Sequence, residues 1–273
     1  MAKTVLITGA SSGIGKAAAK QFAKRHWNVA ATMRNPEKAE ELVALQNVIV
    51  PRLDVTDDAS IDAALAQTHE AFGDIDVIVN NAGYALGGAF EAASEEQIRR
   101  QFETNVFGLM KVTRKILPHF REKKEGTIIN VASVGGRVAF PMFSLYHATK
   151  WAVEGFSESL QYELRPYNIR VKIIEPGAIR TDFYSRSMDT ARDPSIQSYE
   201  KYFDAVNANS MQTAQRLGAD PEVVARVILR AAVDRTFRLR YAAGGNAAPL
   251  MAARKLMPDI VFNGIIRWAA GKG

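Results

Sequence analysis

Segments with the pattern of strands alternate with segments that have the pattern of helices along most of the chain. The strand-like segments are short and apolar, and they occupy residues 4–8, 28–33, 47–50, 75–79, 126–131 and 169–174. Helical patterns fall near residues 14–25, 36–45, 58–72, 95–120, 144–165 and 221–233. Such alternation predicts a parallel sheet with helices on both faces and a ligand site at the carboxyl ends of the strands. We therefore expect a single doubly wound α/β domain over residues 1–273.

The first strand and the first helix are joined by a glycine-rich turn. Gly9, Gly13 and Gly15 follow residues 4–8 directly and precede the helical segment 16–25. Glycine lets the backbone approach a pyrophosphate closely, and a helix N-terminus offers free N–H groups to an anion. The spacing differs from the common dinucleotide motif Gly-x-Gly-x-x-Gly. The turn indicates a phosphate site, and an ordinary strand-to-helix connection is the alternative.

Tyr146 and Lys150 are four residues apart on a predicted helix, thirteen residues after Ser133. Residues at this spacing share one helix face. A nearby ammonium favours the phenolate and so lowers the pKa of a tyrosine from its ordinary value of ~10 toward neutrality. A serine hydroxyl close by would hold the oxygen of a carbonyl or an alcohol. For the pair alone, two surface residues that happen to share a face remain the favoured interpretation.

Seven short segments match the motifs of a known family, in order and at similar spacing. They are Thr8-Gly9-Ala10-Ser11-Ser12-Gly13-Ile14-Gly15, Asp54-Val55, Asn80-Asn81-Ala82-Gly83, Asn105, Ser133, Tyr146 with Lys150, and Pro176-Gly177 followed by Thr181. With these segments the chain resembles the short-chain dehydrogenases/reductases, nearest the hydroxysteroid/retinol dehydrogenase-like and bacterial ketoreductase branch. The resemblance implies a Rossmann fold and hydride transfer between a nicotinamide cofactor and a carbonyl or secondary alcohol.

The resemblance also implies roles for four catalytic residues. Tyr146 is the general acid or base, and Ser133 holds the substrate oxygen. Lys150 lowers the pKa of the tyrosine and binds the nicotinamide ribose. Asn105 matches the asparagine that holds a water in the proton relay, although an asparagine can also simply cap or kink a helix.

Cofactor contacts follow from the same motifs. The expected residues are Gly9, Ser11, Ser12, Gly13, Ile14, Gly15, Arg34, Asp54, Val55, Asn81, Ala82, Gly83, Tyr146, Lys150, Pro176, Gly177, Ile179 and Thr181. No acid stands at the end of the second strand to accept bonds from an adenosine ribose, and Arg34 suits a 2′-phosphate instead. NADP(H) is therefore predicted over NAD(H). The alternative is that Arg34 stacks on the adenine or faces solvent.

The resemblance to the hydroxysteroid and retinol dehydrogenase branch favours a bulky hydrophobic ketone, aldehyde or alcohol as substrate, like a steroid, a retinoid or a ketoester. Ser133, Phe143, Tyr146 and Phe183 are the expected substrate contacts. Phe140, Met142 and Tyr184 are further candidates for an apolar wall, with core packing as the alternative for each. Residues 183–219 show no strong periodicity, and the family resemblance implies that they form a flap over the substrate.

Composition excludes several other classes. The chain has no cysteine, which excludes disulfides and cysteine–zinc sites, and its four histidines lack the spacing of metal ligands. No run is long and apolar enough to span a membrane, and no signal peptide is evident. The net charge of +6 is spread along the chain, so we expect solvated basic residues rather than nucleic-acid binding. These features favour a cytoplasmic enzyme.

Assembly and the C-terminal extension at 245–273 are less constrained. The family resemblance implies a homodimer or homotetramer, with contacts through the helices near 95–120 and 144–165. The extension mixes apolar and basic residues, which is typical of an amphipathic helix. It would close the pocket, pack on a second subunit or touch a membrane surface, and packing is favoured over membrane contact.

Two rival functions are weighed against the oxidoreductase. A non-catalytic NADP-sensing protein on the same fold would have lost Ser133, Tyr146 or Lys150, and this chain retains all three. A dehydratase or epimerase on a related scaffold generally carries a larger C-terminal substrate domain, for which this chain has little room.

Overall fold

The computed structural model describes residues 2–181 and 188–270, so that Phe183 and Tyr184 lie outside the described residues. Its strands are β1 (Thr4–Ile7), β2 (Asn28–Ala31), β3 (Val48–Ile49), β4 (Val77–Asn80), β5 (Ala85–Gly88), β6 (Gly126–Val131), β7 (Ile169–Pro176), β8 (Met188–Ala191) and β9 (Arg240–Ala243). Its α-helices are α1 (Gly13–Ala23), α2 (Glu40–Val43), α3 (Asp58–Phe72), α4 (Glu95–Phe102), α5 (Leu109–Lys123), α6 (Ser144–Leu164), α7 (Glu200–Leu217), α8 (Pro221–Val233), α9 (Ala247–Leu256) and α10 (Asp259–Ala270).

Seven strands form one parallel sheet in the order β3-β2-β1-β4-β6-β7-β9. The strand order reverses between β1 and β4, where Val5 pairs with Val77 and Ile7 with Val79. A crevice opens at such a reversal, outside the carboxyl ends of the strands. The predicted doubly wound α/β fold is therefore confirmed, and its ligand crevice lies where the glycine-rich turn follows β1.

Alternating residues of the strands build a core on each face of the sheet. Val5 and Ile7 pack with Phe22 of α1 and Ile228 of α8, and all four are fully buried. Leu6, between them, points to the other face and joins the cluster that includes residues of α3, α5 and α6. Both faces of β1 are covered, which explains why the strand reads as a continuous apolar run.

Several predicted helices differ from those observed. The segment 95–120 contains two α-helices separated by a π-helical turn, Glu103–Gly108. The segment 36–45 forms only a 3-10 turn, Pro36–Lys38, and the four-residue α2. Asp57 caps α3, because its carboxylate accepts bonds from the backbone N–H groups of Ala59 and Ser60.

The segment 183–219 contains regular structure that its sequence, which has no strong periodicity, did not indicate. Within its described part, β8 pairs with β5 and α7 forms a helix of eighteen residues. The buried side of α7 carries Phe203, Val206 and Ala214, a stripe too sparse among polar residues to stand out in the sequence. The edge strand β9 and the strand β5 were also absent from the predicted elements. None of the helices in the described part of the chain is both long and apolar enough to cross a membrane.

Candidate active site

Helix α6 places Tyr146 and Lys150 on one buried face. Their exposed fractions are 9% and 8%, and the Lys150 ammonium lies 5.8 Å from the centre of the Tyr146 ring. Lys150 Nζ donates a hydrogen bond to the carbonyl oxygen of Val131 at the end of β6 (2.9 Å). Burial lowers the pKa of Lys150 to about 8, while the charge of Glu154 one turn further along opposes this shift. The pair predicted from spacing therefore lies inside the protein, with its cation beside the phenol ring.

Asn105 lies in the π-helical turn and contacts the segment opposite rather than its own helix. Its side-chain oxygen accepts from Tyr84 N (3.1 Å), and its amide nitrogen donates to Tyr84 O (2.9 Å) and to the Thr149 hydroxyl (3.1 Å). A Cβ on Gly83 would lie 3.0 Å from Asn105 Oδ1 and 4.0 Å from Lys150 Nζ. Single π-helical turns are frequent at functional sites. This one brings Asn105, Gly83 and Lys150 to one place.

Ser133 follows β6 and begins a short 3-10 turn, Val134–Gly136. Its Oγ accepts a hydrogen bond from Gly135 N at 3.0 Å. Because this bond uses a lone pair of the oxygen, the hydroxyl hydrogen can still point at a substrate oxygen. The side chain is only half-buried. Ser133 lies on the loop that leads from β6 to Tyr146 in α6.

His147 fixes that loop, a role that the sequence did not indicate. Its Nε2 accepts from Phe140 N (3.0 Å), so its Nδ1 carries the proton and donates to Gly135 O (2.9 Å). Burial lowers the pKa of His147 to about 4, which keeps the ring neutral at pH 7. The only hint in the sequence is its position directly after Tyr146. One imidazole therefore ties the backbone after Ser133 to the backbone before Tyr146.

The glycine-rich turn is a tight backbone cradle tied to β4. Gly9 and Gly13 have φ values of +67° and +51°, which favour glycine. A Cβ on Gly15 would come within 2.3 Å of Gly9 O and 2.5 Å of Asn81 Nδ2. Asn81 Nδ2 donates to the carbonyl oxygens of Thr8 and Gly9, at 3.0 Å each. Ser12, which precedes α1, makes no capping bond through its side chain, so the first N–H groups of this helix remain available to an anion.

The remaining predicted cofactor residues line the same edge of the sheet. Arg34 follows β2, is exposed, and forms no ion pair with any residue that the structure describes. The Asp54 carboxylate accepts from the backbone and hydroxyl of Thr56, at 2.9 and 2.8 Å, and Val55 packs against the backbone of Gly108. On the other side, a Cβ on Gly13 would lie 3.5 Å from Thr181 Cγ2.

The Pro176–Gly177 turn at the end of β7 is braced by the C-terminal part of the chain. Gly177 N donates to Ala243 O (3.1 Å), and a Cβ on Gly177 would lie 2.9 Å from Ala247 N, the first residue of α9. Ile179 is buried and bridges to Ala219. The turn predicted to surround a nicotinamide is therefore held by the end of β9 on one side and by the start of α9 on the other.

An apolar wall stands beside Tyr146. Phe143 and Tyr146 pack with Ala85 and with Val206 of α7, and Met142, Met188 and Tyr202 lie at the edge of this cluster. Phe140 lies next to His147, with 5.7 Å between the ring centres. The contribution of α7 was missed because no helix was predicted in that segment. Phe183 cannot be placed, since it lies outside the described residues.

Two buried carboxylates lie behind Lys150, and neither was foreseen. Glu154 and Glu175 have exposed fractions of 4% and 2%. Arg240 Nε lies 3.0 Å from a Glu154 oxygen and 3.8 Å from a Glu175 oxygen. Burial, with a smaller contribution from the Glu175 charge, raises the pKa of Glu154 to about 7. Among the described residues, no group of three or more histidine, aspartate or glutamate side chains could hold a metal ion.

Comparison with known proteins agrees with this geometry. Residues 3–192 match the family model described as short chain dehydrogenase. An uncharacterised oxidoreductase of Bacillus subtilis, YusZ, is 40% identical, with 97% of each chain covered. The 3-ketodihydrosphingosine reductase of Bacteroides thetaiotaomicron is 32% identical over 96% of each chain. Bovine retinol dehydrogenase 8 is 34% identical over 94% of this chain and 86% of its own.

Solved structures place the chain in the same group. A short-chain dehydrogenase from Streptomyces avermitilis superposes with a TM-score of 0.85 at 36% identity, over 98% of this chain and 96% of its own. ElxO with bound NADP has a TM-score of 0.75 at 28% identity, over 91% of this chain and 100% of its own. A Brucella melitensis 3-ketoacyl-(acyl-carrier-protein) reductase complexed with NADH has a TM-score of 0.74 at 28% identity, over 90% and 98% of the two chains. The chain is an oxidoreductase of the short-chain dehydrogenase/reductase family, whose fold binds a nicotinamide cofactor.

Proposed function

We propose that the protein uses NADP(H) to interconvert a carbonyl and a secondary alcohol on a bulky hydrophobic substrate. The observation that carries the proposal is the convergence of Lys150, Asn105 and Gly83 beside Tyr146, at the carboxyl ends of β4 and β6. The glycine cradle opens at the same edge of the sheet. A phosphate site and an acid–base site thus lie along one crevice.

The residues at this edge fit a dinucleotide. The N-terminus of α1 and the backbone of residues 9–15 would hold the pyrophosphate, since no side chain blocks the approach at Gly9 or Gly13. Lys150 would donate to the nicotinamide ribose, and the turn after β7 would face the ring. When bound, the nicotinamide supplies or accepts the hydride.

Tyr146 and Ser133 would manage the substrate oxygen. Ser133 donates its hydroxyl hydrogen to that oxygen, and Tyr146 donates a proton to it in reduction or withdraws one in oxidation. The charge of Lys150, 5.8 Å from the Tyr146 ring, stabilises the phenolate that remains after proton donation. Asn105 and His147 hold the two segments that face these residues.

Support for NADP(H) over NAD(H) comes from Arg34. Its guanidinium is exposed after β2, and it has no ion-pair partner among the described residues. A 2′-phosphate would give it a charge-assisted partner.

Support for a hydrophobic substrate comes from the wall of Phe143, Ala85 and Val206 beside Tyr146. Two relatives are named for retinol and for 3-ketodihydrosphingosine, which are both lipids. We extend this substrate class to the present chain as part of the proposal.

A cytoplasmic homodimer or homotetramer completes the proposal. Phe107, Trp151 and Tyr162 are 50%, 49% and 66% exposed on the π-helical turn and α6, the region where a subunit contact was predicted. The absence of cysteine is compatible with a reducing compartment.

The test is NADPH and NADH oxidation, followed by absorbance, against a panel of steroids, retinoids, long-chain ketones and β-ketoesters. We expect turnover of at least one hydrophobic carbonyl with NADPH, and a higher KM for NADH. Tight NADPH binding without turnover of any compound would favour the cofactor-sensing function. Turnover of small polar sugars alone would contradict the substrate class.

A further inference from the structure

Helix α10 has two apolar faces, and only one of them is packed. On the inner face, Phe262 is 3% exposed and lies under the Arg254 guanidinium at 5.3 Å. Asn209 of α7 donates to the carbonyl oxygen of Ala269, which ties α10 to α7. These contacts account for one side of the helix.

The opposite side carries large apolar residues that no described residue covers. Ile260, Val261, Ile265 and Trp268 are 79%, 48%, 44% and 84% exposed, and we call these four residues the outer face of α10. At ~100° per residue they span an arc of about 140°. Leu256, at the end of α9, is 81% exposed close by in the chain. Contiguous exposed apolar surface of this kind marks an interaction site.

The charges of the same segment identify the kind of partner. Residues 245–270 contain the basic residues Arg254, Lys255 and Arg267 and the single acid Asp259, a net charge of +2. Asp259 is paired with Arg254, whereas Lys255 and Arg267 form no ion pair with any described residue. A second copy bound through a two-fold axis would bring this basic face against itself, which costs free energy. Anionic lipid headgroups complement it.

We propose that α10 lies flat on an anionic lipid surface, with its outer face inserted between headgroups and acyl chains. A helix of twelve residues is about 18 Å long, too short to cross a bilayer but suited to the interface. Trp268 is the residue type that favours the headgroup level, and Lys255 and Arg267 would contact phosphates.

The same surface is linked to the apolar wall of the candidate site. α10 packs on α7, and α7 contributes Val206 to the cluster with Phe143 and Tyr146. α9 begins against Gly177 at the turn after β7. Lipid contact would therefore hold the apolar wall close to the membrane, without altering the residues that perform hydride transfer. The inference does not rest on the proposed substrate or cofactor.

The test is co-sedimentation with vesicles of phosphatidylcholine alone and of phosphatidylcholine mixed with phosphatidylglycerol. We expect binding to the anionic vesicles that weakens with added salt and falls by about tenfold or more in the double variant Ile260→Glu/Trp268→Glu. The matched control is Val43→Glu/Val233→Glu, which adds the same charge at exposed apolar positions outside α9 and α10, 63% and 53% exposed. The control variant should bind anionic vesicles more strongly than Ile260→Glu/Trp268→Glu does. Vesicles with brominated acyl chains should quench tryptophan emission in the wild type and less in Trp268→Phe.

Two results would overturn the proposal. One is equal sedimentation of the two double variants, and the other is no sedimentation of the wild type with anionic vesicles. If the wild type does not bind vesicles and is a dimer in light scattering that becomes a monomer in Ile260→Glu/Trp268→Glu, the outer face belongs to a contact with a second copy.

Discussion

The candidate site and the α9–α10 segment are held to the sheet in different ways. At the site, side chains bond directly to the backbone next to neighbouring strands, as Asn81 does to Thr8 and Gly9 after β1 and Asn105 does to Tyr84 before β5. The α10 helix instead has one buried side chain, Phe262, and one hydrogen bond from Asn209 of α7, and it leaves most of its apolar side exposed. Directional bonds fix atoms to within a few tenths of an ångström, whereas partial apolar packing fixes only a surface. We call the candidate site the rigid region and the α9–α10 segment the loosely attached region. The proposed hydride transfer belongs to the first and the proposed lipid contact to the second.

In the rigid region, the largest loss of stability and of cofactor affinity is expected from one methyl group added to the glycine-rich turn. Gly15→Ala places a carbon 2.3 Å from Gly9 O. We expect a loss of about 3 kcal/mol in the free energy of unfolding and a loss of roughly a hundredfold in NADPH affinity. Urea unfolding and fluorescence titration measure the two effects. Gly155→Ala is the matched control, because its Cβ meets no atom within 4 Å in α6, and it should be stabilising by up to ~1 kcal/mol.

His147 makes the rigid region sensitive to acid. Its pKa falls from 6.5 to about 4 on folding, so the stability that depends on the neutral ring is complete above pH 6.5 and is lost as the pH falls toward 4. The loss attributable to this residue should approach roughly 3 kcal/mol. The difference in unfolding free energy between wild type and His147→Gln, measured from pH 7 to pH 4, isolates it from buried carboxylates such as Glu154. A difference that does not change with pH would contradict the assigned neutral ring.

Arg34 lies at the edge of the rigid region, and because its side chain is exposed we expect it to contribute to cofactor binding rather than to stability. Arg34→Ala should raise the KM for NADPH about tenfold, through loss of a charge-assisted phosphate contact, and leave the KM for NADH nearly unchanged. Steady-state kinetics with both cofactors measures the split. Equal effects on both would place Arg34 against the adenine or the solvent.

The smallest effect is expected in the loosely attached region. Ile260→Ser replaces a side chain of α10 that is 79% exposed, so the free energy of unfolding should change by less than about 0.5 kcal/mol. Urea denaturation measures this change. A destabilisation of ~2 kcal/mol or more would show that the outer face packs against the protein.

Features fixed by local chemistry were predictable from the sequence. The glycine cradle, the shared face of Tyr146 and Lys150, and the alternation of strands and helices depend on spacing and residue type alone. The bonds of His147 were not, because they join residues that the fold brings together. Glu154 and Glu175 were unexpected for the same reason, since glutamate is rarely buried without a partner and that partner, Arg240, is far along the chain. Helix α7 was not predicted because most of its residues are polar.

The central claim is that Tyr146 exchanges the proton with the substrate oxygen. The most direct measurement is the turnover of Tyr146→Phe with a hydrophobic ketone found in the panel, together with its NADPH affinity by fluorescence titration. We expect a fall in kcat of about a thousandfold, with NADPH affinity within a few-fold of the wild type. A kcat within about tenfold of the wild type would contradict it, because general acid catalysis by a single group contributes more than this.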